Sequence, residues 1–186
     1  MTGLLAACQL QFAREGYYQM PALIATVDLL NLRKHHRMLV AGGVMRFGDS
    51  QSSRRWVLHN ERVARLLQHM ITPVMSSIAD VEVKPSYTYT ASYEEGAELP
   101  RHVDRAQCQY SVSICIDFEP EPDGPTQWPL WLETRVGPVP IYQALGDGLF
   151  YKGCELEHYR TRLPPGCRST SVFLHYVDTT FSGSID

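Results

Sequence analysis

The sequence has no apolar run approaching the roughly 18 residues that a membrane span requires. Its opening stretch, MTGLLAACQLQFAREG, carries no basic segment ahead of the apolar residues. Both absences weigh against a membrane anchor and a secretory leader, so the expectation is a cytoplasmic protein with no membrane partner. A C-x-x-C pair is missing too, and the five cysteines (Cys8, Cys108, Cys115, Cys154, Cys167) are odd in number and far apart. That pattern argues against a disulfide framework and a thiolate zinc site, and leaves free, buried thiols as the reading. There is no excess of positive charge: the net charge is -3, and apart from a short cluster, NLRKHHR at 31–37, Lys and Arg are dispersed. A nucleic-acid partner is therefore not expected.

What is present suits one domain over 1–186, with 44% hydrophobic and 20% charged residues, the balance of a globular chain. Its character changes near residue 80. Within 1–79, ALIATVDLLNLRKHHRMLV and NERVARLLQHMITPVMSSI carry apolar residues at helical spacing, the second opening at Asn60 as a candidate N-cap. The neighbours His35 and His36 fall on different faces of such a helix and share no metal. Over 80–180 the pattern becomes that of strands: SYTYTASY, QYSVSICID, WPLWLE, DGLFYKG and RSTSVFLHYVD, separated by turn chemistry such as EPDGP, LGDG and PPG. The class expected is α+β, mainly β, a sandwich or jelly roll with the N-terminal helices packed on one sheet.

The chemistry concentrates in LPRHVDRAQCQYSVSICID, residues 99–117. Strand alternation projects His102 and Asp104 the same way while Val103 turns aside. Two side chains do not make a catalytic metal site, and His158 in GCELEHYRTRLPPGCR is the candidate third ligand. Two histidines and a carboxylate on one face of an octahedron leave three positions open, the arrangement of non-haem Fe(II) oxygenases. Ten residues beyond His158, Arg168 opens a strand with Thr170 on its own face. A guanidinium there could clamp a carboxylate bidentately.

HVD, followed by GDGLFYKGCELEH and then by Arg168, resembles the 2-oxoglutarate- and Fe(II)-dependent oxygenases, nearest their prolyl 4-hydroxylase-like branch, over roughly residues 84–178. The resemblance implies a double-stranded β-helix core of the jelly-roll or cupin-like kind. It implies His102, Asp104 and His158 as iron ligands, Arg168 as the anchor of the distal carboxylate of 2-oxoglutarate, and Tyr93 as a second cosubstrate contact. Where that branch often has another tyrosine on the next strand, this chain has Cys115, and DGPTQWPLWLE replaces the branch's glycine-pair turn. The activity implied is hydroxylation of an unactivated C–H bond in an amino-acid, peptide or natural-product substrate, releasing succinate and carbon dioxide. Fe(II), 2-oxoglutarate and dioxygen are the implied cofactors, with ascorbate as an optional reductant. Two rivals are a cupin-like metal protein with non-redox chemistry and a catalytically silent binding module on the same fold. Around this constellation, Tyr87 and Tyr89 read as walls of the barrel, Arg101, Arg105, Trp128 and Trp131 as candidates for its mouth, and His59, His69 and His175 as structural.

Overall fold

The structure, a computed structural model, describes residues 2–185. In chain order the elements begin with α1 (Thr2–Glu15), β1 (Tyr17–Met20), α2 (Thr26–Ala41), β2 (Arg46–Phe47), β3 (Arg55–His59), α3 (Arg62–Ala79) and β4 (Val83–Tyr93). They continue through β5 (Leu99–His102), β6 (Tyr110–Glu119), β7 (Leu130–Thr134), β8 (Gly137–Ile141), β9 (Gly148–Tyr151), β10 (His158–Arg160) and β11 (Arg168–Asp178). The strands form a seven-stranded sheet, in the order β1-β9-β6-β11-β4-β3-β2, and a four-stranded sheet, β5-β10-β7-β8. All pairings are antiparallel. This is a double-stranded β-helix.

Alternation explains how the large sheet is used. Val112, Ile114 and Ile116 of β6 and Val172, Leu174 and Tyr176 of β11 point to its outer face, where they bury against Phe12, Leu29, Leu32, Ile71 and Met75 of the helices. The other face closes over the small sheet around two further clusters, one with Tyr93, Phe118, Trp128 and Phe173, the other with Leu99, Leu130, Leu132, Leu149 and Tyr151. The helices thus take the apolar set of each long strand, and the interior of the barrel is left with much of the polar set, including Ser111, Ser113, Ser171 and His175.

Two details differ from the sequence expectation. The segment 1–79 is not helical throughout: β1, β2 and β3 lie in it and supply both edges of the large sheet. These strands are five residues or fewer, too short for alternation to announce. Nor is Asn60 the cap of α3. It adopts a left-handed φ of 52°, and its Oδ1 accepts from the Thr88 amide at 3.0 Å, bracing β4. The cap is Glu61, whose carboxylate accepts from the Ala64 amide at 2.9 Å. The LGDG segment is the tight turn expected before β9, with Gly146 at φ 90° and the Asp147 carboxylate accepting from the Ala144 and Ala22 amides, each at 2.9 Å.

Candidate active site

β5 and β10 are neighbours in the small sheet, and His102 stands directly opposite His158. Asp104 lies just past the end of β5, its amide donating to the Gly153 carbonyl at 2.9 Å. The ligand atoms of the three residues lie within 4.8 Å of one another. Asp104 Oδ1 is 3.8 Å from His102 Nε2 and 3.6 Å from His158 Nε2. In both histidines Nδ1 is committed to a backbone carbonyl at 2.8 Å, that of Pro100 for His102 and that of Leu156 for His158. A carbonyl accepts only, so each Nδ1 carries the proton and each Nε2 offers a lone pair toward the carboxylate. Two fixed imidazole lone pairs and one carboxylate form the donor set of a facial two-histidine, one-carboxylate metal site. The residues fit a divalent metal.

The electrostatics agree with neutral imidazoles beside an anion. Burial and the neighbouring His158 push the His102 pKa below the ordinary imidazole value. Burial alone would raise the Asp104 carboxyl, but the nearby imidazoles of His158, His175 and His102 outweigh it and hold the group below its usual value. Behind Asp104, Ser111 Oγ donates to Asp104 Oδ2 at 3.1 Å and meets His175 Nδ1 at 2.9 Å. This relay fixes the carboxylate that the two histidines face. Gly153 makes room for it, since a Cβ there would fall on the Asp104 carboxylate and lie 2.6 Å from the Cys108 carbonyl and 2.7 Å from Ser111 Oγ. His175, expected to be structural, therefore belongs to the site. Burial pushes its pKa down to about 4. With Cys108 it also forms a second potential donor group around Asp104, but burial raises the Cys108 thiol to about 12, and the thiol donates to the Tyr87 phenol at 3.1 Å. A neutral thiol so engaged is a poor metal ligand.

The triad opens into a cavity of about 860 Å³, a size that suits a small-molecule ligand. Tyr87, Tyr89, Tyr93, Tyr151 and Phe173 give it aromatic walls, and Arg46, Asp49, Arg55, His59 and Arg105 give it charge and polarity. Arg55 was not anticipated, because its strand was not. It is 3% exposed and donates to Asp49 Oδ2 from Nε at 2.9 Å and Nη2 at 2.6 Å, to Gln51 Oε1 at 2.9 Å, and from Nη1 to the Tyr93 phenol at 2.9 Å. The Tyr89 phenol donates to the same Asp49 oxygen at 2.5 Å.

Of the other residues singled out in the sequence, Tyr93, Tyr87, Tyr89, Arg105 and His59 line the cavity. Trp128 is buried beside Tyr93, their rings 5.0 Å apart. Arg101 pairs with Glu133 and Trp131 stacks on Tyr159, both away from the cavity. His36 is buried, bonded through Nδ1 to the Leu32 carbonyl at 2.8 Å. All five cysteines are free.

Arg168 and Thr170 are not brought to the site. The expected parity of β11 is reversed: Phe173 and His175 face the cavity, which puts Arg168, Thr170 and Val172 on the opposite side of the sheet. The Arg168 side chain is 60% exposed and its Nε pairs with Glu94 Oε2 at 2.8 Å. Thr170 Oγ1 donates to Ser92 Oγ at 2.9 Å. Both line a separate outer cleft of about 340 Å³ with His36 and Arg37. The physical reason is that the apolar residues of β11 serve the helices, while its serines and histidine serve the interior.

No protein-family model matches the sequence, and no curated protein matches it. Solved structures do align over nearly the whole chain. The non-haem α-ketoglutarate-dependent epimerase SnoN from nogalamycin biosynthesis aligns with TM-score 0.80 and 13% identity over 97% of this chain and 85% of its own. A prolyl-4-hydroxylase of Pseudomonas putida aligns with TM-score 0.74 and 16% identity over 94% and 98%. HygX of Streptomyces hygroscopicus, solved with nickel, 2-oxoglutarate and hygromycin B, aligns with TM-score 0.71 and 13% identity over 93% and 87%. The fold is therefore that of the 2-oxoglutarate- and Fe(II)-dependent oxygenases.

Proposed function

We propose that the protein is a 2-oxoglutarate- and Fe(II)-dependent oxygenase in which His102, Asp104 and His158 hold the metal. The observation that carries this reading is the convergence of the three donors with both Nδ1 atoms already occupied, so that each histidine offers its Nε2 beside the carboxylate. Fe(II) bound there with chelated 2-oxoglutarate supplies the oxidising chemistry, the cosubstrate losing carbon dioxide and leaving as succinate while dioxygen is consumed. The chain's own residues do the rest. Ser111 and His175 hold Asp104 in place, and Tyr151, packed 5.0 Å from the His158 ring, keeps water from that side of the site. Three protein ligands leave room for a bidentate cosubstrate and one further ligand.

The substrate suited to the cavity is a small molecule with polar groups. Its exposed side offers Arg46 and Arg105, and its walls are tyrosines able to pack on rings and hydrogen-bond to hydroxyls. The nogalamycin and hygromycin B named for SnoN and HygX support a natural product over a folded protein partner. Hydroxylation of a C–H bond is the outcome proposed. The aligned epimerase and the carbocyclase SnoK mark stereochemical inversion and ring closure as the outcomes to be distinguished from it by product analysis. The class itself is tested by incubating the protein aerobically with Fe(II) and 2-oxoglutarate and quantifying succinate. Metal-dependent succinate that disappears in His158→Ala supports the reading. No succinate under any metal, with binding of 2-oxoglutarate also absent, supports a non-redox or silent protein instead.

A further inference from the structure

The charges that line the cavity are not equally available to a ligand. Both oxygens of Asp49 are engaged within the protein: Oδ2 accepts from Arg55 and from the Tyr89 phenol, and Oδ1 accepts from the Gln51 and Ser52 amides, each at 2.9 Å. The Arg55 guanidinium is engaged by that carboxylate, by Gln51 and by the Tyr93 phenol. Asp104 faces the two histidines and Ser111. Of the formally charged lining residues, Arg46 and Arg105 remain. Both are exposed, and neither side chain forms a hydrogen bond or ion pair with another described residue. In a chain whose net charge is -3, the charge that this cavity leaves open to a ligand is positive.

Strand register shows how the two are aimed. Arg46, on the edge strand of the large sheet, is paired with Val57, and directly paired residues share a face. It therefore points inward with Arg55, Val57 and His59, while Phe47 and Trp56 point away. Arg105 follows Asp104 beyond the end of β5, the edge strand of the small sheet. The cavity, about 860 Å³, is much larger than a five-carbon diacid, and the space beyond the triad is walled by Tyr87, Tyr89 and Phe173. A cationic substrate finds no unengaged carboxylate there. An anionic one finds two unengaged guanidinium groups, each built to hold a carboxylate or phosphate through two parallel hydrogen bonds.

We propose that the substrate is a ring-bearing anion whose carboxylate or phosphate is held by Arg46 and Arg105, and that these two residues set the charge specificity of the site. This rests on the oxygenase reading above and names its substrate class. The test titrates the protein, loaded with Zn(II) and saturating 2-oxoglutarate so that the triad is filled, with four probes followed by ligand-observed NMR. Hydrocinnamate and phenyl phosphate carry the two anionic groups, hydrocinnamamide is neutral and phenethylamine is cationic. One or both anions should bind at least about tenfold tighter than the amide, with phenethylamine weakest and the gap narrowing as salt is raised. Whether carboxylate or phosphate leads identifies the anionic group. Arg46→Gln and Arg105→Gln should each lower the affinity for the preferred anion about three- to tenfold and leave that for the amide unchanged, and the double variant should show no preference. Arg101→Gln, which removes a charge outside the cavity, should keep it. The proposal is overturned if the amide or the amine binds the wild type as tightly as both anions, if none of the four binds, if the double variant keeps the preference, or if Arg101→Gln loses it equally. A wild type that takes up no 2-oxoglutarate overturns the oxygenase reading, and the same probes titrated into the unloaded protein then decide by the same outcomes whether the cavity selects anions.

Discussion

Each histidine of the triad is aimed by a single backbone carbonyl two residues earlier in the chain, and Asp104 is aimed by one hydroxyl. Removing a ligand and removing its support should therefore have graded effects. His102→Ala and His158→Ala should abolish stoichiometric Fe(II) binding with the fold intact by circular dichroism. Ser111→Ala, which frees Asp104 to rotate, should weaken metal binding by roughly ten- to a hundredfold, as read by competition with a chelating dye. Unchanged affinity in Ser111→Ala would mean that the relay does not orient the carboxylate. His175 gives a second residue-scale prediction, for the metal-free protein. Its folded pKa of about 4 lies below the ordinary 6.5 because burial disfavours the imidazolium. Between those values the unfolded chain binds a proton that the folded chain refuses, so stability falls as pH drops through the window, by about 3 kcal/mol once it is crossed. His175→Gln should flatten the fall in the urea midpoint over that range by about this amount. An equally steep fall would assign the pH dependence to other groups.

At the scale of elements, the site depends on how closely the β9–β10 connection lies over the segment after β5. Gly153 permits this, and Gly153→Ala places a methyl group against Asp104, Ser111 and the Cys108 carbonyl. The cost expected is about 1–3 kcal/mol of stability, together with loss of metal affinity; a variant with normal metal binding would show that the connection can move away freely. The same scale explains what was legible in the chain. β4, β6, β9 and β11 were visible because each alternates or runs apolar, and the triad was visible because its spacing survives folding. β8, with Pro138 and Pro140, and β10, three residues long, had no pattern to read, although β10 carries His158. Alternation also separates two faces without naming the inner one. On β11 the apolar set Val172, Leu174, Tyr176 meets the helices, and reading it as the barrel's lining turned Arg168 inward. Arg55 was hidden in a strand within a region that reads as helix.

At the scale of the whole molecule, the cavity joins parts that are distant in sequence. Arg46 to Arg55 wall one side, β4 and β11 supply tyrosines and His175, and the small sheet supplies the triad. Ligands that bind only this assembled arrangement should stabilise the fold by mass action, about 2.7 kcal/mol for a ligand at a hundred times its dissociation constant. Mn(II) with 2-oxoglutarate should accordingly raise the thermal midpoint of the wild type and leave that of His158→Ala unmoved. An equal rise in both would place binding elsewhere. The most direct measurement of the central claim is anaerobic absorption spectroscopy of the Fe(II)-loaded protein during titration with 2-oxoglutarate. A saturable visible charge-transfer band in the wild type that is absent in both His102→Ala and His158→Ala is the result expected. No band in the wild type, or an undiminished band in either variant, would contradict chelation of 2-oxoglutarate at a metal held by His102, Asp104 and His158.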